Sequence, residues 1–188
     1  MSTEVATTFE RAVRIRVPRR EDGAALHRLI AACPPLDVNS VYAYMLICHH
    51  FRNFTVVAEG DGDGLVGCLT AYRRPDHSDV LFVWQIAVDK AARGHGIGRR
   101  MLQALIERPA AEGARWLETT ISPSNVASRR LFSAWAVSNG FQISETPYLE
   151  PVDFSTAADD RPHEAECLFR IGPPSKLQTS AIRGDPVV

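Results

Sequence analysis

The 188-residue chain has almost no net charge: 21 Lys and Arg stand against 22 Asp and Glu, leaving −1 with histidine neutral. That removes the basic footprint of a nucleic-acid binder, so neither DNA nor RNA is an expected partner. Cysteine is scarce, and Cys33, Cys48, Cys68 and Cys167 lie far apart. Their spacing offers no paired zinc ligands and no disulfide framework, which fits a reducing cytoplasm. His49 and His50 are adjacent on an expected helix and diverge by about 100°. They make a poor metal pair, and no metal is expected. Long apolar runs are missing too: no segment approaches the roughly 20 residues that cross a bilayer, so no membrane partner is expected. Residues 1–11 carry Glu4 and Glu10 and no continuous apolar core, unlike a signal peptide.

What is present is the composition of an ordinary globular domain, 45% apolar and 23% charged, with a length that buries one full core without staples. Val13, Ile15 and Val17 alternate with Arg14 and Arg16 up to Pro18, the period of a half-buried strand. Leu26, Leu29 and Ile30 recur at helical spacing within Glu21 to Ala32, which Pro34 and Pro35 close. Ser40 to His50 reads as a second helix. Thr55 to Glu59 and Leu65 to Tyr72 are strand-like runs joined by Asp61, Gly62, Asp63 and Gly64, a hairpin turn. Val80 to Val88 is apolar except for Gln85, as expected of a central strand buried on both faces. Ile97, Met101, Leu102, Leu105 and Ile106 form an amphipathic helical stripe. A strand over Trp116 to Ile121, a helix over Asn125 to Asn139 and strands over Phe141 to Ser144 and Glu166 to Ile171 complete the order of elements. That order predicts an α/β fold, a mixed central sheet with helices on both faces. One domain over residues 13–172 is expected, between flexible tails at 1–12 and 173–188.

Arg93, Gly94, His95, Gly96, Ile97 and Gly98 follow the central strand and open a helix. Glycines let the backbone turn tightly and bring its N–H groups against a phosphate. A helix start adds unpaired donors and the positive end of the dipole. Arg93, Arg99 and Arg100 supply fixed charge suited to a pyrophosphate. A Walker loop would need Lys followed by Ser or Thr where Arg99 and Arg100 stand, and a Rossmann fingerprint would need glycines at other offsets. A plain glycine turn would explain the bend but not the arginines.

Arg-x-x-Gly-x-Gly after Ile86, Ala87 and Val88 resembles the pyrophosphate loop of the GCN5-related N-acetyltransferases. Asn125, Ser128, Leu131, Phe132, Gly140 and Phe141 look like that family's downstream helix and Gly-Phe pair. The resemblance implies the single-domain fold of that family and acetyl-CoA as co-substrate, held by Ile86, Val88, Arg93, Gly94, His95, Gly96, Gly98, Arg99, Asn125 and Ser128. It implies a β-bulge in the central strand and backbone pairing of Ile86 and Val88 with the pantetheine arm. The chain departs from the pattern at Phe132, where many members carry a Tyr that protonates the leaving thiolate. Phe has no proton to give, so another group or solvent must do so.

Candidate substrate residues fall in two places. Asp37, Asn39, Ser40, Tyr42 and Tyr44 surround a helix start. Asn39 or Ser40 could be its N-cap and the tyrosines could pack by their rings, or the group could read a polar substrate. His163, Glu164 and Glu166 precede the last strand. If the chain is extended there the two carboxylates share one face, facing either an ammonium group or solvent. Arg73 and Arg74 could meet a carboxylate or line a solvated loop. Leu36 to Tyr44, Asp79 to Gln85, Arg108-Pro109, Ser122 to Asn125 and His163 to Glu166 resemble the diaminobutyrate acetyltransferases of ectoine biosynthesis, over roughly Arg14 to Pro173. That resemblance implies transfer of an acetyl group to the γ-amine of L-2,4-diaminobutyrate by a cytoplasmic homodimer, a small diamine being the partner. Glu164, Glu166, Asp37 and His163 are the candidates for the base, unranked; Asp37, Asn39, Tyr42, Trp84 and Glu166 are candidates for binding substrate. Another small amine as acceptor, or a non-catalytic acetyl-CoA sensor, remains open.

Overall fold

The computed structural model describes residues 13–61, 64–154 and 163–173. The expected tails therefore lie outside the described residues apart from Pro173, as do Gly62 and Asp63 of the expected turn. The chain divides into two compact units, Met1–Ala114 and Arg115–Val188.

The first unit contains β1 (Arg14–Arg16), α1 (Gly23–Ala31), α2 (Val41–His50), β2 (Val56–Glu59), β3 (Leu65–Arg73), β4 (Val80–Val88) and α3 (Ile97–Ile106). Its four strands pair in sequence order, each antiparallel to the next. Val57, Cys68 and Ala87 stand beside one another in register across β2, β3 and β4. Because strand side chains alternate, these three share a face. Leu26, Leu29 and Ile30 of α1 and Tyr44, Ile47 and Cys48 of α2 pack with them into a buried cluster. Gly67, one residue before Cys68, faces the other way. A Cβ there would lie 3.2 Å from Ile97 and Met101 of α3, so the missing side chain lets α3 approach β3 closely.

Two arginines fasten the edges of this unit. Arg16 bridges Asp22 at 2.6 Å and Glu59 at 2.8 Å, tying β1 to the turn before α1 and to β2. Arg108 donates to the carbonyls of Thr55 at 2.6 Å and Asn53 at 3.2 Å. The Arg108-Pro109 pair singled out in the sequence therefore clamps the loop that leads into β2.

In the second unit, β5 (Trp116–Ile121), α4 (Val126–Ser138), β6 (Gln142–Leu149) and β7 (Glu166–Gly172) form a three-stranded antiparallel sheet and one helix, with β7 between β5 and β6. Phe132, Trp135 and Ala136 are the buried stripe of α4. Gly172 lies directly against the indole of Trp116, where any Cβ would collide with the ring.

Two elements differ from expectation. β6 runs on to Leu149 rather than stopping at Ser144, because β7 pairs with it along its whole length. Pro147 is tolerated there since β6 is the edge of this unit's sheet and an edge strand can spare a donor. The first expected helix opens as a separate 3₁₀ turn, Arg20–Asp22, before α1 begins at Gly23.

Candidate functional site

β4 was expected to be buried on both faces, and Trp84 breaks that expectation at 48% exposure. The cause is a bulge. The β3–β4 register passes from Thr70↔Gln85 to Ala71↔Val83, leaving Trp84 as an extra residue without a cross-strand partner. An extra residue bends the strand and re-aims its side chain. Trp84 thereby joins Ile47, Phe51, Thr70 and Tyr72 in the wall of a largely apolar cavity of about 310 Å³.

Gln85, the polar interruption in the β4 sequence, is 5% exposed. Its Nε2 donates to the Asp37 carbonyl at 2.7 Å, and its Oε1 accepts from the Tyr44 hydroxyl at 3.2 Å. The same hydroxyl accepts from the Asn39 backbone N–H at 3.2 Å. The loop before α2 is thus tied at both of its candidate substrate residues to the strand that carries the bulge. Ser40 is the N-cap of α2, accepting from the Ala43 N–H at 3.2 Å. Tyr44 packs as core, whereas Asp37 is exposed and Tyr42 is 69% exposed. The capping and packing reading thus holds for Ser40 and Tyr44. It leaves Asp37 and Tyr42 free to meet a ligand.

Beyond Val88 the chain enters the glycine loop. Gly94 and Gly96 have φ of +84° and +70°, left-handed values that favour glycine. Gly96 is the N-cap of α3 and makes no side-chain cap hydrogen bond, which suits the first helical N–H groups to an anion. A Cβ at Gly94 would meet nothing within 4 Å. That open glycine cradle and uncapped helix fit the diphosphate of a coenzyme. Arg99 and Arg93 are exposed beside it. Arg93 Nε donates to the Val88 carbonyl at 3.0 Å, and His95 Nδ1 lies 3.3 Å from the Ala92 carbonyl. Arg100, expected to add charge to the loop, instead donates to the Val13 carbonyl at 2.7 Å. Arg73 and Arg74 are similarly engaged: Arg73 donates to the carbonyls of Ala110 at 2.8 Å and Glu112 at 2.9 Å, and Arg74 pairs with Asp76.

In the second unit, Asn125 is the N-cap of α4 and accepts from the Ser128 N–H at 3.1 Å. Glu164 accepts from the Ser124 N–H at 3.2 Å, so the His163 to Glu166 and Ser122 to Asn125 segments meet. His163 stacks on Phe154, with ring centroids 4.9 Å apart. Glu164 precedes β7 and Glu166 is its first residue, paired with Leu149. Phe132 is 1% exposed and part of the core.

Two of the thiols, those of Cys48 and Cys68, are unsuited to nucleophilic attack. Burial pushes Cys48 and Cys68 up to about 12, and at 1% and 0% exposure neither is accessible. Among the described residues no three His, Cys, Asp or Glu side chains gather in a metal-binding arrangement. No helix among them is long and apolar enough to cross a membrane.

A bulged strand, a glycine loop and a helix without a side-chain cap follow in succession, an arrangement that suits the acyl-coenzyme A-dependent acetyltransferase class. The Acetyltransferase (GNAT) family matches residues 24–135, and the chain belongs to it. The L-2,4-diaminobutyric acid acetyltransferase of Bordetella parapertussis is 48% identical over 159 residues, 85% of this chain and 83% of that protein. Its counterpart in Streptomyces coelicolor is 44% identical over 170 residues, 89% and 96% of the two chains. The solved structure of diaminobutyrate acetyltransferase EctA from Paenibacillus lautus, in complex with its substrate L-2,4-diaminobutyric acid and coenzyme A, is 40% identical. It matches with a TM-score of 0.81 and covers 86% of this chain and 95% of that one. The fold is therefore the α/β acetyltransferase fold expected from the sequence. The ribosomal-protein-S18-alanine N-acetyltransferase from Escherichia coli, 17% identical with a TM-score of 0.60, shares the fold alone.

Proposed function

We propose that this chain transfers the acetyl group of acetyl-CoA to the γ-amine of L-2,4-diaminobutyrate, giving N4-acetyl-L-2,4-diaminobutyrate, a step of ectoine biosynthesis. The observation that carries the reading is the 40% identity and TM-score of 0.81 to a structure holding that diamine and coenzyme A. The bulge at Trp84 and the positive-φ glycines at 94 and 96 agree with it.

The chemistry is direct. The γ-ammonium loses a proton to a carboxylate, to His163 or to water, because only the neutral amine can attack a thioester. The nitrogen lone pair then adds to the acetyl carbonyl carbon, and collapse of the tetrahedral intermediate expels the CoA thiolate. A backbone N–H beside the bulge, that of Ile86, is our assignment for stabilising the oxyanion. With Phe132 in place of the usual Tyr, solvent or another group protonates the thiolate. Asp37, Glu164, Glu166 and His163 are the proposed set for the base and for the α-ammonium. Asn39, Tyr42 and Trp84 are proposed to shape the amine site. Ile86, Val88, Arg93, Gly94, His95, Gly96, Gly98, Arg99, Asn125 and Ser128 are the proposed coenzyme contacts. Direct transfer without a covalent acetyl-enzyme is part of the proposal, and the burial of Cys33, Cys48 and Cys68 supports it.

The test is thiol release from acetyl-CoA with L-2,4-diaminobutyrate, with putrescine-like diamines, amino sugars and lysine as comparisons. The diaminobutyrate should give the largest kcat/KM. Turnover confined to another amine would reassign the substrate, and coenzyme binding without turnover of any amine would make the chain a sensor. Operation as a homodimer in the cytoplasm belongs to the same proposal. Its support here is β6, which is exposed at every position from Gln142 to Tyr148 and leaves Ile143 and Tyr148 open.

A further inference from the structure

We propose that Gln85 and Tyr44 are positioning residues for the amine: they hold the Asp37–Asn39 loop against the bulged strand so that its side chains meet the substrate in one fixed arrangement. This role rests on the amine reading given above.

Three hydrogen bonds form a continuous chain. The Asn39 N–H donates to the Tyr44 hydroxyl, that hydroxyl donates to Gln85 Oε1, and Gln85 Nε2 donates to the Asp37 carbonyl, at 3.2, 3.2 and 2.7 Å. Tyr44 is 0% exposed and Gln85 5%, so these polar groups have left water to make the chain. A buried amide without partners is costly, and here both ends of the amide find them. The bonds run to backbone atoms of the loop rather than to its side chains. Asp37 and Val38 therefore remain exposed while the main chain between them and α2 is held.

The strand end of the chain is equally constrained. The Gln85 N–H donates to Thr70 Oγ1 at 3.1 Å, at the step where the register shifts. Gln85 thus sits between the bulge residue Trp84 and Ile86, and its side chain spans from that strand to the loop. A purely structural purpose would be served as well by an apolar residue packed in the cluster of α1 and α2. The amide instead fixes the position of a loop whose side chains point outward, which is what a binding loop needs: a preorganised backbone lowers the ordering cost of capture.

Gln85→Met keeps the length and removes both bonds; Tyr44→Phe keeps the ring and removes only the hydroxyl. For Gln85→Met, KM for L-2,4-diaminobutyrate should rise about tenfold, with KM for acetyl-CoA within about twofold of the parent. Tyr44→Phe should raise the amine KM about threefold, since the bond to Asp37 survives. Hydrogen exchange at the Asn39 amide should accelerate in both variants while the amides of β3 and β4 keep their protection. Should the variants lose thermal stability but keep the parent's amine KM, or should both KM values rise together, the positioning role is wrong. If Gln85→Met fails to fold, Tyr44→Phe decides by the same criteria. Parent protein that frees no CoA with the diamine removes the substrate reading and this role together, whereas normal parent turnover with unchanged variant KM removes this role alone.

Discussion

Gly96 does two jobs at one position. Its φ of +70° is a conformation that costs an L-residue roughly 1–2 kcal/mol, and as N-cap it keeps the start of α3 clear. Gly96→Asp should therefore raise KM for acetyl-CoA about tenfold or more, by adding strain and placing a carboxylate where a diphosphate belongs. Steady-state kinetics at saturating amine check this, and an unchanged value would overturn the assignment of the loop. Trp84 teaches a different lesson at the same scale. Local pattern places it in an apolar run and the family resemblance implies a bulge in that strand, but only the register shows that the bulge falls at Trp84 and leaves it half exposed. Arg100 is the converse case. It looks like its neighbour Arg99, yet its guanidinium is spent on the Val13 carbonyl.

At the scale of elements, α2 begins where its cap dictates. Ser40 accepts from the Ala43 N–H, and Tyr44, Ile47 and Cys48 give the helix its buried face. Replacing Ser40 with Ala should cost about 1 kcal/mol and lower the melting temperature by roughly 2–4 °C in calorimetry. Because the Gln85 and Tyr44 bonds hold the loop independently of the cap, amine KM should change little in that variant. Periodicity placed nearly every element: α3 spans Ile97–Ile106 and β5 Trp116–Ile121, as their apolar patterns indicated. It failed for β6, where Ser144, Glu145, Thr146 and Pro147 carry no alternating apolar signal. The strand exists because β7 supplies the partner groups, a condition that no local pattern records.

At the scale of the molecule, the ion-pair group around Arg16 makes stability depend on pH. Burial alone would raise the Asp22 carboxyl, but hydrogen bonds from Arg16 and from the Arg19 N–H outweigh it and hold Asp22 below its usual 3.8. The hydrogen bond from Arg16 also holds Glu59 below its usual 4.5. Both folded values are depressed, so the stabilisation is complete above the unfolded values and is lost as pH falls through the folded ones. Asp22→Asn should melt below the parent at pH 7, and the gap should narrow as the pH is taken below about 4, where the parent loses the same charge. A gap that stays constant down to pH 2.5 would show that the charge is not what stabilises the turn. Sedimentation of the intact protein should give a two-chain particle if β6 is the face between copies, and a single chain would remove the homodimer.

Strand and helix periods, the glycine loop opening α3 and the absence of a Tyr at position 132 were determined by the sequence itself. Each depends on residues within a few positions of one another, where turn chemistry and side-chain alternation act directly. The family resemblance implied a bulge in the central strand, but tertiary structure decided that Trp84 is the residue it expels, that Gln85 reaches back to Asp37 and that Arg108 clamps the loop before β2. The last two join residues about 50 positions apart. Their partners are set by sheet register and helix docking, which place a buried donor beside whichever acceptor the packing brings within reach.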